Sequence, residues 1–157
     1  MNLKKDALKT ALVGGWTTKT DERVCFFGTC DELSSYIMDL SNYLNDEIKN
    51  DLITIVPVLS KIMGIVAGTH VEFKEEDLLP LLEIIEKYKT SPKVLDHFVL
   101  PGQNKNSSKC HIVRTVARRC ELAYAKVYEK YGGNDYLFEY LNKLSTLFYE
   151  LALYLEK

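Results

Sequence analysis

Apolar side chains recur three and four residues apart along five stretches of the chain, and each such stripe predicts a helix with one buried face. The longest runs from Ser107 to Tyr131, where Cys110, Val113, Ala117, Cys120, Tyr124, Val127 and Tyr131 form a bundle-type seam. Gly132-Gly133 ends it, because glycine takes the left-handed conformation beyond a helix without a Cβ penalty. Leu33, Ile37, Leu40 and Leu44 mark a first helix, opened by a Thr29–Glu32 capping box. Asn45 or Asp46 caps a second, striped by Ile48, Leu52, Ile55, Leu59, Ile62 and Val66 and kinked at Pro57. A third, from about Glu75 to Tyr88, turns Leu78, Leu81, Leu82, Ile85 and Tyr88 inward, with Pro80 in its first turn. Asn134 caps the last, seamed by Leu137, Leu141, Leu144, Phe148, Leu151 and Leu155, with Asn142, Ser145 and Tyr149 as a polar stripe beside it.

Residues 1–28 show no strand alternation of useful length, and residues 90–106, with Pro92, Pro101 and Gly102, read as a connector. The pattern therefore predicts an all-α, five-helix bundle as one domain over 1–157, an irregular segment 1–28 preceding the bundle 29–157. Phe98-Val99-Leu100 is apolar for a connector, and either tucks into the core or lines a pocket.

Charge changes this picture little. The 157 residues carry a net charge of −2 with both signs spread throughout, which gives no reason to expect nucleic acid or an anionic membrane as partner. No apolar run approaches the roughly 18 residues of a membrane span. The first residues lack a signal-peptide core, so a cytoplasmic location is expected. Of four cysteines, Cys110 and Cys120 sit on a seam, while Cys25 and Cys30 have no second pair at zinc-ligand spacing. The three histidines are scattered, so neither a metal site nor a disulfide framework is expected. Among ten tyrosines, Tyr36, Tyr43, Tyr140 and Tyr149 lie off the main seams, as residues of a subunit interface do.

The readable chemistry is a second stripe on the longest helix: His111, Arg114, Arg118 and Glu121, on one face. Two guanidiniums one turn apart can grip carboxylates or phosphates with forked geometry. A solvated, salt-bridged helix edge has the same spacing.

Four further stretches decide more. Gly14-Gly15 with Lys19-Thr20-Asp21-Glu22-Arg23-Val24, then Gly28-Thr29-Cys30-Asp31-Glu32-Leu33, Phe98-Val99-Leu100-Pro101-Gly102 and Tyr140-Leu141-Asn142-Lys143-Leu144-Ser145 flank the run His111–Glu121. In order and spacing these resemble the PduO-type ATP:cob(I)alamin adenosyltransferases from about residue 12 onward. The resemblance implies a homotrimer of five-helix bundles with active sites between subunits. It implies transfer of the 5′-deoxyadenosyl group of ATP to the cobalt of reduced cobalamin, releasing triphosphate, with Mg²⁺ assisting. By the same resemblance Asp31 and Arg114 would pair across the interface, and Arg118 would hold the triphosphate. Asn142 would bond the nucleotide and Lys19 its phosphates, with Glu121 among the binding residues. Phe98 would press on the lower face of the corrin, excluding an axial ligand and so easing reduction of cobalt. A cobalamin-dependent client enzyme would be a further partner.

The chain departs from that family at the glycine-rich phosphate loop, where it has Leu3-Lys4-Lys5-Asp6-Ala7-Leu8-Lys9-Thr10, and at Gln103, where a second glycine is usual. A catalytically weak relative that binds or delivers a corrinoid is therefore an alternative, and a trimeric scaffold without ligand is another.

Overall fold

The first helix begins seven residues before the Thr29 capping box. In the computed structural model, which describes residues 6–90 and 100–157, α1 spans Glu22–Ser41 with Asp21 as its cap, accepting from the Arg23 amide. Thr29 lies inside the helix, its hydroxyl donating back to the Phe26 carbonyl at 2.9 Å. Asp21 wins because it caps and Glu22 places a second carboxylate at the positive end of the dipole. Phe26 and Cys30 then extend the buried seam of Leu33, Ile37 and Leu40 backward.

Ahead of α1 stands an element the sequence pattern did not show. β1 (Lys9–Leu12) and β2 (Gly15–Thr18) form an antiparallel hairpin, Lys9 opposite Thr18 and Leu12 opposite Gly15, so this part of the segment expected to be irregular is regular. Gly14 turns it with φ +78°. An isolated two-stranded hairpin is marginal, and this one is tied to α3 at its turn and closed by a further rung at its open end. The Val13 amide donates to the Ala67 carbonyl at 3.2 Å, and the Lys19 amide to the Leu8 carbonyl at 2.7 Å.

Asn45 caps the second helix through the Ile48 amide. The helix breaks at Thr54 into α2 (Asp46–Ile53) and α3 (Ile55–Ala67). The break lies where Pro57, lacking an amide hydrogen, cannot reach the Ile53 carbonyl. Counted as one broken element, it leaves the expected five helices. By length and composition Asp46–Ala67 is long and apolar enough to cross a membrane, contrary to the expectation that no stretch qualifies. Here Ile48, Leu52, Ile55, Leu59 and Ile62 are spent on the core against α1.

α4 (Glu75–Tyr88) buries Leu78, Leu81, Ile84 and Tyr88, while Leu82 and Ile85 are only partly covered. Pro80 sits past the first turn, so one helical bond is lost after all, on an exposed side where water can solvate the freed carbonyl. α5 (Lys105–Tyr131) and α6 (Asp135–Tyr154) form the central pair, with α1 against α5 and α4 against α6. Asn104 and Asn134 cap them. Gly132 ends α5 at φ +76° and ψ 177°, a glycine-only region but not the left-handed helical one expected.

Two tyrosine assignments change. Tyr140 is 2% exposed and meets Phe73 edge-on at 5.6 Å, so it belongs to the core. Tyr131 leaves the seam at the end of α5, its ring beneath the Arg23 guanidinium at 4.1 Å.

Candidate functional site

The polar face of α5 is arranged in two clusters. Toward its middle, Glu121 is 6% exposed yet carries a carboxylate that accepts from Arg118 at 2.8 Å and from the Asn142 amide of α6 at 2.9 Å. A buried carboxylate is kept only when its lone pairs are answered. The Arg118 side chain is 56% exposed, so one edge of its fork is anchored while the rest faces outward. Beside Glu121 and Asn142 lies a hollow of about 420 Å³, also lined by Tyr128, Asp135, Phe138 and Glu139.

One turn earlier, Arg114 donates from Nε to His111 Nδ1 at 3.1 Å. These two residues, with Pro101, Gly102, Ile112 and Thr115, line a smaller hollow of about 270 Å³ at the end of the 100–104 connector. That connector is pinned to α6, since the Gln103 amide donates to Glu156 at 3.1 Å and Asn104 Nδ2 to the Leu155 carbonyl at 2.9 Å. Gly102 keeps φ +84° with Ser108 Cβ 3.1 Å from where its own Cβ would stand, so glycine is required there. Gln103, the departure from the family pattern, is thus a fastening point.

The other expected residues lie outside these clusters. Asp31 is exposed on α1, and among the described residues its carboxylate makes no ion pair with Arg114 of the same chain. Lys19 is exposed in the turn between β2 and α1. Phe98 lies outside the described residues. A groove of about 410 Å³ between α1 and α5, near that turn, is lined by Thr20, Glu22, Cys25, Thr29, Arg119, Leu122, Ala123 and Lys126.

A third cluster went unread in the sequence: Asp21 gathers Thr17 of the hairpin, Arg23 of α1 and Tyr131 of α5. Its carboxyl is held well below the usual carboxylate range, chiefly by the Arg23 guanidinium, against the opposing pull of burial. Three of the four cysteines, Cys30, Cys110 and Cys120, are core, while Cys25 is exposed in the groove. Cys30 is driven far up by the adjacent Cys120 thiol and by burial, and burial pushes Cys110 up to about 12.

The outward fork of Arg118 and the exposed Lys19 offer cations to an anionic ligand, while the hollow beside Glu121 is itself lined by the carboxylates of Glu121, Asp135 and Glu139. Comparison with known proteins agrees. The cobalamin adenosyltransferase family model matches residues 2–155. The corrinoid adenosyltransferase of Bacillus subtilis is 33% identical, over 94% of this chain and 81% of its own length. That of Citrobacter freundii is 29% identical over 91% and 86%. Among solved structures, a Phe-to-His variant of the PduO-type ATP:corrinoid adenosyltransferase from Lactobacillus reuteri, complexed with cobalamin and ATP, superposes with a TM-score of 0.85 at 26% identity, covering 94% of this chain and 86% of that one. An Arg-to-Lys variant of the same protein, complexed with ATP, gives 0.84. Sequence and fold agree over almost the whole length, and this chain belongs to the cobalamin adenosyltransferase family.

Proposed function

We propose that this chain is an ATP:corrinoid adenosyltransferase, moving the 5′-deoxyadenosyl group of ATP onto the cobalt of a reduced corrinoid. A cobalt–carbon bond forms at C5′, the C5′–oxygen bond breaks, and the electron pair leaves with triphosphate. The observation that carries the reading is the Arg118–Glu121–Asn142 network, which ties α5 to α6 and leaves most of one guanidinium outward, in a chain of this family. Arg118 binds the triphosphate, a task for a planar cation that stays charged throughout. Asn142 bonds the nucleotide, Lys19 meets the phosphates as a point charge, and Phe98 excludes a ligand from the lower face of cobalt. The protein's share is alignment and stabilisation of the leaving charge, and no side chain need be acid, base or nucleophile.

Among the described residues no three His, Cys, Asp or Glu side chains converge on one point. Mg²⁺ would therefore come with the ATP phosphates, its usual mode.

The site is completed by a neighbouring subunit in a homotrimer. Asp31 is exposed, and Arg114 has no carboxylate partner among the described residues of its own chain, so each is open to the other across an interface. Exposed Ile112 and Leu122 on α5, Tyr36 on α1 and Tyr43 in the turn after it, and Leu8, Val13 and Trp16 at the hairpin supply apolar surface for assembly to cover. Such an assembly working in the cytoplasm would hand its product to a cobalamin-dependent client.

One observation favours a second reading, a relative that binds a corrinoid but uses ATP poorly. Of the stretch Leu3–Thr10, which stands where the family has a glycine-rich phosphate loop, Lys9 and Thr10 belong to strand β1, so part of its backbone is committed to the hairpin ladder. Mixing the protein with cob(II)alamin, reductant and Mg·ATP separates the two. A visible spectrum that becomes that of adenosylcobalamin supports the transferase, and four-coordinate cobalt(II) without product supports the relative.

Two substitutions test the assignments. Arg118→Ala should weaken ATP use by roughly 1.5–3 kcal/mol, the worth of a hydrogen bond to a charged group. Unchanged ATP kinetics would remove Arg118 from the site. Phe98→Ala should leave ATP affinity intact while slowing cobalt reduction, and equal effects on both would make Phe98 an ordinary packing residue.

A further inference from the structure

The His111 side chain is nearly buried, at 6% residue exposure, and its Nε2 has no hydrogen-bond partner among the described residues. Buried ring nitrogens are seldom left so, and leucine or phenylalanine would fill the volume without an orphaned donor. The other nitrogen explains the residue. Nδ1 accepts from Arg114 Nε, so it carries no hydrogen, and the proton of the neutral ring must reside on Nε2. We propose that His111 is the positioning residue of the site, its neutral Nδ1 fixing the plane of the Arg114 guanidinium so that the remaining nitrogens meet a carboxylate of a second copy of this chain.

The inference rests on the proposed transferase reading and deepens it. A guanidinium is a rigid planar fork, so anchoring Nε fixes the directions of the two terminal nitrogens. Protonation of His111 would place an N–H on Nδ1 against the Arg114 N–H and set two cations side by side. Arg114 would then swing away. The groups around the ring favour the neutral form on balance. Burial lowers the affinity of the imidazole for a proton, Arg114 on the same helix lowers it further, and Glu156 at the end of α6 opposes both. Tyr149 of α6 meets the ring edge-on at 6.3 Å, and residues 100–104 bring no charge. Burial alone would hold a core histidine neutral; the Arg114 contact turns that neutrality into a condition for activity, lost as the medium is acidified below the ordinary imidazole range.

The test compares kcat/KM against pH for the full-length enzyme and two variants, with thermal melts as controls. His111→Leu should lower kcat/KM roughly 10- to 100-fold at neutral pH, the loss expected of one hydrogen bond to a charged group. His111→Asn, which offers an amide oxygen near the place of Nδ1, should recover most of that loss and abolish the part of the acid fall-off that the wild type shows. On the unmutated protein, ¹⁵N spectra between about pH 5 and 8 should show Nδ1 bare, Nε2 protonated and titration below the usual histidine value. Wild-type kinetics in His111→Leu, equal losses in folded His111→Leu and His111→Asn, or the opposite tautomer would each overturn the proposal. Variants that both fail to fold would make the residue structural and overturn it as well. A wild type that forms no adenosylcobalamin at any pH would instead refute the transferase reading, which the ¹⁵N result cannot do.

Discussion

Replacing Glu121 by leucine is expected to lower kcat/KM for ATP by about two orders of magnitude or more, the sum of two charge-assisted hydrogen bonds at roughly 1.5–3 kcal/mol each. The carboxylate is the single acceptor shared by Arg118, through Oε2 at 2.8 Å, and Asn142, through Oε1 at 2.9 Å. Its loss frees both arms proposed to hold the nucleotide, one from each of the central helices. Leucine fits a position that is 6% exposed, so the fold should survive and the melting temperature should change little. Glu121→Gln keeps one acceptor oxygen but turns an NH₂ group toward one of the two donors, and should fall between wild type and Glu121→Leu. Because the three residues act as a unit, Glu121→Leu combined with Arg118→Ala should cost much less than the sum of the two. Additive losses would show that Glu121 does not act through Arg118.

The sequence revealed this node only in part, and the reason is geometric. Arg118 and Glu121 are three residues apart on one helix, where spacing alone puts side chains in contact. That Asn142 joins them depends on how α6 is rotated and slid against α5, which no local pattern records; the family resemblance placed Asn142 among the binding residues but not against Glu121. Helix boundaries follow the same logic. α4 matched its expected limits because acidic residues cluster at its start and a regular stripe runs to Tyr88. α1 did not, because Val24-Cys25-Phe26-Phe27 has no period to separate buried from exposed, and a plausible capping pair at Thr29 and Glu32 falls inside the helix. The hairpin was invisible because its strands are four residues each and expose most of both faces. Its existence is settled by contacts to Ala67 and Asp21, distant in sequence or unmarked by any motif. Tyr140 and Tyr149 show the same limit, both lying off the seam on paper, one in the core and the other against His111.

Asp21→Ala should destabilise the protein by about 3 kcal/mol, near the lower bound for unpairing a buried ion because Arg23 is partly solvated. Asp21 receives the Arg23 amide at 2.9 Å, Nε at 3.0 Å and a terminal nitrogen at 2.9 Å, with Thr17 Oγ1 at 2.9 Å and the Tyr131 hydroxyl at 2.7 Å. One carboxylate thus caps α1, tethers β2 and holds the end of α5. Its folded pKa is depressed, so its stabilisation is complete above the unfolded value near 3.9 and drains away as pH falls through the carboxylate range toward the lower folded value. Asp21→Asn keeps the cap but not the charge. Its deficit relative to wild type in urea unfolding should therefore shrink by roughly 1 kcal/mol between neutral pH and about pH 3. A deficit independent of pH would mean the carboxylate is not held ionised. The functional consequence follows from position, since the hairpin leads directly into the turn that carries Lys19 and Thr20. With the tether cut, KM for ATP should rise more than KM for the corrinoid at temperatures where the variant is still folded. Equal rises would mean that the hairpin serves the fold and takes no part in gripping phosphate.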